Sequence, residues 1–93
     1  MSALRVACAG AGYFAQFLYQ SWFRLERASV VGACDLDPTR AEATGAPAFA
    51  DLGAMLEATG PDLLDIILPP TAHAAAIEPA VAQHVPTIPR PQP

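Results

Sequence analysis

The stretch Leu4-Arg5-Val6-Ala7-Cys8-Ala9-Gly10-Ala11-Gly12-Tyr13-Phe14-Ala15 decides how the chain is read. Residues 4–9 form a short run of small and branched apolar side chains that stops at a glycine, as a strand buried on both faces should. Beyond the glycines, Phe14, Phe17, Leu18, Trp22 and Leu25 repeat at helical spacing. That stripe predicts an α-helix to about residue 26 with Tyr19 and Phe23 off its core-facing side. A G-x-G-x-x-A sequence thus lies between a strand and a helix, which is the context that gives the motif its meaning. Gly10 allows the tight turn, Gly12 lets the backbone approach a pyrophosphate, and Ala15 allows the helix to lie close on the strand. Tyr13 and Phe14 open the helix whose first N–H groups attract the anion.

Working outward, residues 29–34 read as a second strand stopped by Asp35, which follows Ala15 by 20 residues. A carboxylate at that point accepts hydrogen bonds from the ribose hydroxyls of NAD and repels a 2′-phosphate, so NAD is expected rather than NADP. Arg40 is read as a solvated side chain of the second helix. Asp37-Pro38 supplies a cap and a first-turn proline for that helix, which should end near Gly45. Ala48-Phe49 is a minimal third strand, and Asp51 caps a helix that Gly60-Pro61 closes. Residues 63–68 give the strongest buried-strand signal, ended by Pro69-Pro70. A helix over residues 74–83, kinked by Pro79, then leads to a weak fifth strand over residues 85–88. Strands alternating with helices predict a single α/β domain over residues 1–88. It is a partial Rossmann-like, doubly wound parallel sheet in the order 3-2-1-4-5. Residues 89–93 hold three prolines and are expected to be an unstructured tail.

Composition limits the chemistry. The 93 residues are 53% hydrophobic and 15% charged, enough for one small globular domain and too few for a two-domain enzyme. All five basic residues are arginines, which removes any step that needs a lysine. A net charge of −4 without a basic stripe speaks against nucleic acid as a partner. The uncharged run over residues 6–23 is broken by Gly10, Gly12, Gln16, Gln20 and Ser21, so it is not read as a membrane span or a signal, and a cytoplasmic location is expected. Cys8 and Cys34 lack metal-ligand spacing and are read as buried reduced thiols, with no metal site. Trp22 is read as a core anchor and His84 as a surface residue.

Together these pieces resemble the N-terminal domain of the Gfo/Idh/MocA family of NAD(P)-dependent oxidoreductases. Gly10 to Ala15 is similar to the family's cofactor loop, and Val31 to Pro38 to its second strand and ribose-binding acid. Phe49 to Leu52, with Met55-Leu56, is similar to its third strand–helix unit. Asp65-Ile66-Ile67-Leu68-Pro69-Pro70-Thr71-Ala72-His73 is similar to its fourth strand and the nicotinamide end. The resemblance implies that Leu68, Pro69 and His73 adjoin the nicotinamide, and that the family's reaction moves hydride between nicotinamide and a sugar or polyol hydroxyl carbon. It also marks departures. The family often has threonine where Leu68 stands, and the stretch from Arg40 to Phe49 is short. The lysine that the family uses for proton transfer aligns with Pro91, and the family's second, substrate-holding domain has no counterpart here.

The expectation is therefore a dinucleotide-binding domain fragment with no catalytic residue of its own, as a frameshifted or truncated reading frame would produce. Its fifth strand is an uncovered edge expected to favour self-association. The alternatives are a non-catalytic NAD-binding or regulatory module, with Tyr19 and Phe23 as a contact surface, and an S-adenosylmethionine-dependent methyltransferase fragment. For the latter, Leu68 and Thr71 replace the polar and aromatic residues that amino-group methylation needs.

Overall fold

The computed structural model of the chain describes residues 3–12 and 14–90. Five strands form one parallel sheet, β1 (Leu4–Ala9), β2 (Ala28–Cys34), β3 (Ala48–Phe49), β4 (Leu63–Ile66) and β5 (Thr87–Pro89), in the order β3-β2-β1-β4-β5. All four neighbouring pairs are parallel, and β1 meets β2 from Leu4↔Ala28 to Ala9↔Cys34 with a register shift between Val6 and Ala7. Helices α1 (Ala15–Phe23), α2 (Pro38–Ala43), α3 (Leu52–Thr59) and α4 (His73–Ala82) make the crossovers, and a 3-10 turn over Pro70–Ala72 leads into α4. The predicted strand order and fold class hold.

Strand alternation divides the core between the two faces of the sheet. Val6 and Cys8 of β1 join Ala15 and Tyr19 of α1 on one side. Ala7 and Ala9 join Leu64 and Ile66 of β4, Met55 and Leu56 of α3, and Ala76 and Ala80 of α4 on the other. Because β1 and β4 are covered on both faces, they read as apolar runs interrupted only by Arg5 at the start of β1 and the buried Asp65 of β4. The local signals act as expected at two helix starts: Asp37 accepts from the Thr39 N–H at 3.0 Å ahead of Pro38, and Asp51 accepts from the Ala54 N–H at 2.8 Å. Gly60 ends α3 in the left-handed conformation, with φ 53°.

Several expectations are corrected. Helix α1 stops at Phe23 rather than near residue 26, and the chain turns through Arg24 and Leu25 so that Ala28 can pair with Leu4. Its inward face is Ala15 and Tyr19, flanked by Leu18 and Trp22. Phe17 and Leu25, expected inside, are 54% and 53% exposed. Ala15 sets this rotation, since only a small side chain lets the helix sit close to the sheet, and residues one turn later on the same side follow it inward. Strand β4 ends at Ile66 rather than Leu68, and β5 starts at Thr87 rather than Val85. Val85 instead donates to the Ala80 carbonyl at 2.8 Å, after His84 turns the chain with φ 59°. Helix α4 runs as one element, His73–Ala82, with Pro79 inside it. Cys34 is half-buried, unlike the fully buried Cys8.

The tail also differs from expectation at its start. Pro89 closes β5, and the Arg90 N–H donates to the Ile66 carbonyl at 2.9 Å. Its guanidinium grips Asp65, with Nε and Nη2 at 2.8 and 3.1 Å from the two carboxylate oxygens. Asp65 is fully buried on the α1 side of β4, and Trp22 Nε1 donates to it at 2.8 Å. A buried carboxylate in an apolar strand is tolerated only when it is paired and hydrogen-bonded, and here three donors do so. The pair ties the edge strand β5 and helix α1 to the middle of the sheet. Residues 91–93 of the expected tail lie outside the described residues.

Arg90→Ala removes the charge partner and leaves the Asp65 carboxylate buried against Trp22. It should lower the unfolding free energy by about 2–3 kcal/mol, slightly under the usual effect of breaking a buried pair because the Arg90 side chain keeps 32% of its surface. Urea unfolding followed by Trp22 fluorescence reads this directly. An unchanged midpoint would show that the pair does not hold the edge.

Candidate nucleotide-binding site

The site is built where β1 ends. Gly10 has φ 102°, and a Cβ there would stand 2.2 Å from the carbonyl oxygen of Ile67, so both conformation and contact demand glycine. Its N–H donates to the Cys34 carbonyl at 2.7 Å, which continues the β1–β2 pairing into the turn. Its carbonyl accepts from the Tyr19 hydroxyl at 3.0 Å. Gly12 is different in kind. A Cβ there would meet nothing within 4 Å, so the space beside this α-carbon is open.

Asp35 stands opposite, at the carboxyl end of β2. Its Oδ2 accepts from the Ala11 N–H at 2.9 Å and its Oδ1 from the Asp37 N–H at 2.8 Å. These two bonds fix the carboxylate plane and leave lone pairs on both oxygens for further donors. Arg40 leans on Asp37 at 3.8 Å, with both side chains mostly in solvent.

A cleft of about 220 Å³ joins these parts. Gly10, Gly12, Phe14, Ala15 and Asp35 line one side, and Ile67, Leu68 and Pro69 the other. It opens at the carboxyl end of the parallel strands, where ligands bind in open α/β sheets. A larger hollow of about 380 Å³ between α1 and α2 lies beside it and shares Ala11 and Arg40 with it. The hollow lacks both the glycine turn and the carboxylate, so the smaller cleft is the one with binding chemistry.

Seven of the expected residues therefore meet in one place: Gly10, Gly12, Phe14, Ala15, Asp35, Leu68 and Pro69. His73 stands behind them at the start of α4, and its Nε2 bonds the Leu68 carbonyl at 2.7 Å, bracing the loop that carries Leu68 and Pro69. Tyr13 lies outside the described residues. Among the described residues no cluster of histidine, cysteine and acid side chains could hold a metal, and no helix is long and apolar enough to cross a membrane.

Sequence reading placed Tyr19 off the core-facing stripe, on a contact surface with Phe23, and did not find the Asp65–Arg90 pair. Tyr19 is only 3% exposed, and burial drives its phenol far above the ordinary range. Burial likewise pushes the neighbouring Cys8 thiol up to about 12, with the Asp65 charge adding to the effect. Burial also raises the Cys34 thiol, helped by Asp51 and Asp35. Two signals could have found them. Placing the helix stripe on Ala15 turns Tyr19 inward, and an acid inside Leu63-Leu64-Asp65-Ile66-Ile67-Leu68 requires a partner cation.

Comparison with known proteins agrees with this geometry. Residues 4–88 match the family described as an oxidoreductase family with an NAD-binding Rossmann fold, GFO_IDH_MocA. A D-apiose dehydrogenase of Rhizobium rhizogenes is 31% identical over 93 residues, covering 95% of this chain and 27% of that protein. The crystal structure of an oxidoreductase from Agrobacterium radiobacter in complex with NAD+, L-tartaric acid and magnesium superposes with a TM-score of 0.84 at 30% identity, over 92% of this chain and 27% of that one. A dehydrogenase from Chromobacterium violaceum gives a TM-score of 0.84 at 26% identity, over 94% and 27% of the two chains. The chain thus spans about a quarter of the length of these relatives, at 27%.

Thiol chemistry offers a check on the packing around the turn. With both thiols raised, native protein at pH 7.5 should react slowly with iodoacetamide at Cys34 and not at Cys8, whereas both react in urea. Peptide mapping after a timed pulse distinguishes them. Native labelling of Cys8 would mean that the β1–α1 interface opens readily.

Proposed function

We propose, because this chain belongs to the GFO_IDH_MocA oxidoreductase family through its NAD-binding Rossmann fold, that its cleft holds NAD for hydride exchange with a sugar or polyol hydroxyl carbon. The observation that carries this reading is the union of the glycine turn with Asp35, joined by the 2.9 Å bond from the Ala11 N–H. Open space beside Gly12 admits a pyrophosphate to the backbone, and the start of α1, through Phe14 and Ala15, lines the same cleft, where a helix N-terminus favours an anion. Asp35 keeps acceptor capacity for two ribose hydroxyls, and its charge disfavours a 2′-phosphate. The cleft of about 220 Å³ is smaller than a complete ligand pocket, so it takes the pyrophosphate and the adjoining ribose while the rest of the dinucleotide extends along the sheet end.

NAD, when bound, supplies the nicotinamide ring that gives or takes hydride. Leu68 and Pro69 form the apolar wall on that side, and His73 positions the wall through the Leu68 carbonyl. The chain contains no lysine, so proton transfer to or from a substrate hydroxyl is not assigned to any residue here. The sugar or polyol substrate is proposed from the D-apiose dehydrogenase, of which this chain covers 27%. We assign the chain cofactor binding alone. Strand β5 stands at the sheet edge, and self-association through it belongs to the same proposal.

Calorimetric titration with NAD tests the reading. Asp35→Ala should weaken binding by about 1–3 kcal/mol, roughly 5- to 150-fold, and Gly12→Val should abolish it by filling the approach to the pyrophosphate. Unchanged NAD affinity in Asp35→Ala would remove the ribose assignment.

A further inference from the structure

Tyr19 and Asp35 lie 16 residues apart and on different elements, yet they hold the two ends of the same peptide group. The carbonyl of the Gly10–Ala11 peptide accepts from the Tyr19 hydroxyl at 3.0 Å, and the N–H of that peptide donates to Asp35 Oδ2 at 2.9 Å. The peptide's neighbours are already constrained: the Gly10 N–H bonds the Cys34 carbonyl at 2.7 Å, and the Gly10 α-carbon is pressed against the Ile67 carbonyl. The remaining soft motion is rotation of the Gly10–Ala11 plane, which would carry the N–H away from Asp35. Tyr19, 3% exposed, opposes that rotation through its buried hydrogen bond.

We propose that Tyr19 is a positioning residue for the dinucleotide cradle, acting through the Gly10–Ala11 peptide on Asp35, an inference that rests on the NAD-binding reading above. The hydroxyl donates, the peptide relays, and the carboxylate accepts, so each bond polarises the next in a buried setting of low dielectric. Orientation of the ribose acid and of the turn beneath the pyrophosphate is then one adjustment rather than two. Burial keeps the phenol protonated, and therefore a donor, across the working pH range. Trp22, one turn further along α1, is tied to Asp65 at 2.8 Å, so the helix that carries Tyr19 cannot rotate to withdraw it.

A double-mutant cycle on the full chain tests the coupling, with NAD as the titrant. Tyr19→Phe keeps the ring and removes the donor, and it should weaken NAD about 3- to 10-fold, the scale of one buried hydrogen bond. In an Asp35→Ala background the same change should add less than about twofold, because the relay has lost its acceptor. A purely structural role would give losses that multiply. Multiplying losses, or NAD affinity unchanged in Tyr19→Phe, overturns the inference. A wild-type chain that does not bind NAD overturns the NAD reading instead. The ligand-free protein then decides the relay: Tyr19→Phe should speed hydrogen exchange at the Ala11 amide at least several-fold while Leu64 in β4 keeps its protection, and an unchanged Ala11 rate overturns it. If Tyr19→Phe does not fold, the wild-type Tyr19 hydroxyl proton is observed by nuclear magnetic resonance. Slow exchange supports the relay, and exchange at the solvent rate overturns it.

Discussion

The close approach of the Gly10 backbone to the Ile67 carbonyl is the constraint on which the rest of the structure depends. With 2.2 Å between a hypothetical Cβ and that oxygen, β1 and β4 can finish side by side only if no side chain intervenes. Once they do, β1 turns sharply with φ 102° and feeds α1 back over the sheet, while β4 hands over to Leu68 and Pro69. The cleft is the gap that these two divergent exits leave between them. Any residue other than glycine at position 10 would force the end of β1 and Ile67 apart and distort the cleft between them.

A second constraint is electrostatic and works from within. Asp65 brings a full charge into the layer between β4 and α1, and its three hydrogen bonds come from two distant parts of the chain, Trp22 and Arg90. Buried pairs of this kind add little net stability compared with an apolar replacement, but they are selective about geometry. Here the geometry places α1 in one rotation and β5 in one register. The rotation presents Tyr19 to the Gly10 carbonyl, so the interior charge and the ligand cleft are parts of one arrangement. Small residues complete it: Ala15 of α1, Ala33 of β2, and Ala76 and Ala80 of α4 are buried almost completely and let the helices on both faces approach the sheet closely.

The cleft is also asymmetric in a way that suits its proposed ligand. One wall is polar backbone and a fixed carboxylate, the other is the apolar pair Leu68 and Pro69. A dinucleotide has the same division, with a charged diphosphate and ribose beside flat rings. The relatives that share this domain extend well beyond it, as the 27% coverage shows.

Local signals in the sequence determined most of the fold. The glycine turn between a buried strand and a helix, the acid ending the second strand, the Asp37 and Asp51 caps and the Gly60 stop depend on backbone conformation and nearest neighbours, so they can be read residue by residue. They sufficed for the five-strand order and for placing Gly10, Gly12 and Asp35 on one cleft. Only the tertiary structure decided which face of α1 turned inward, because Phe14, Phe17, Leu18 and Trp22 define a plausible stripe until Ala15 must fit against the sheet. It alone joined Asp65 to Arg90 and Tyr19 to Gly10, since the partners of a buried polar group are chosen by where distant elements cross. A proline-rich end offers no helical or strand period, and the order at Pro89 and Arg90 comes from a buried carboxylate that needs a cation.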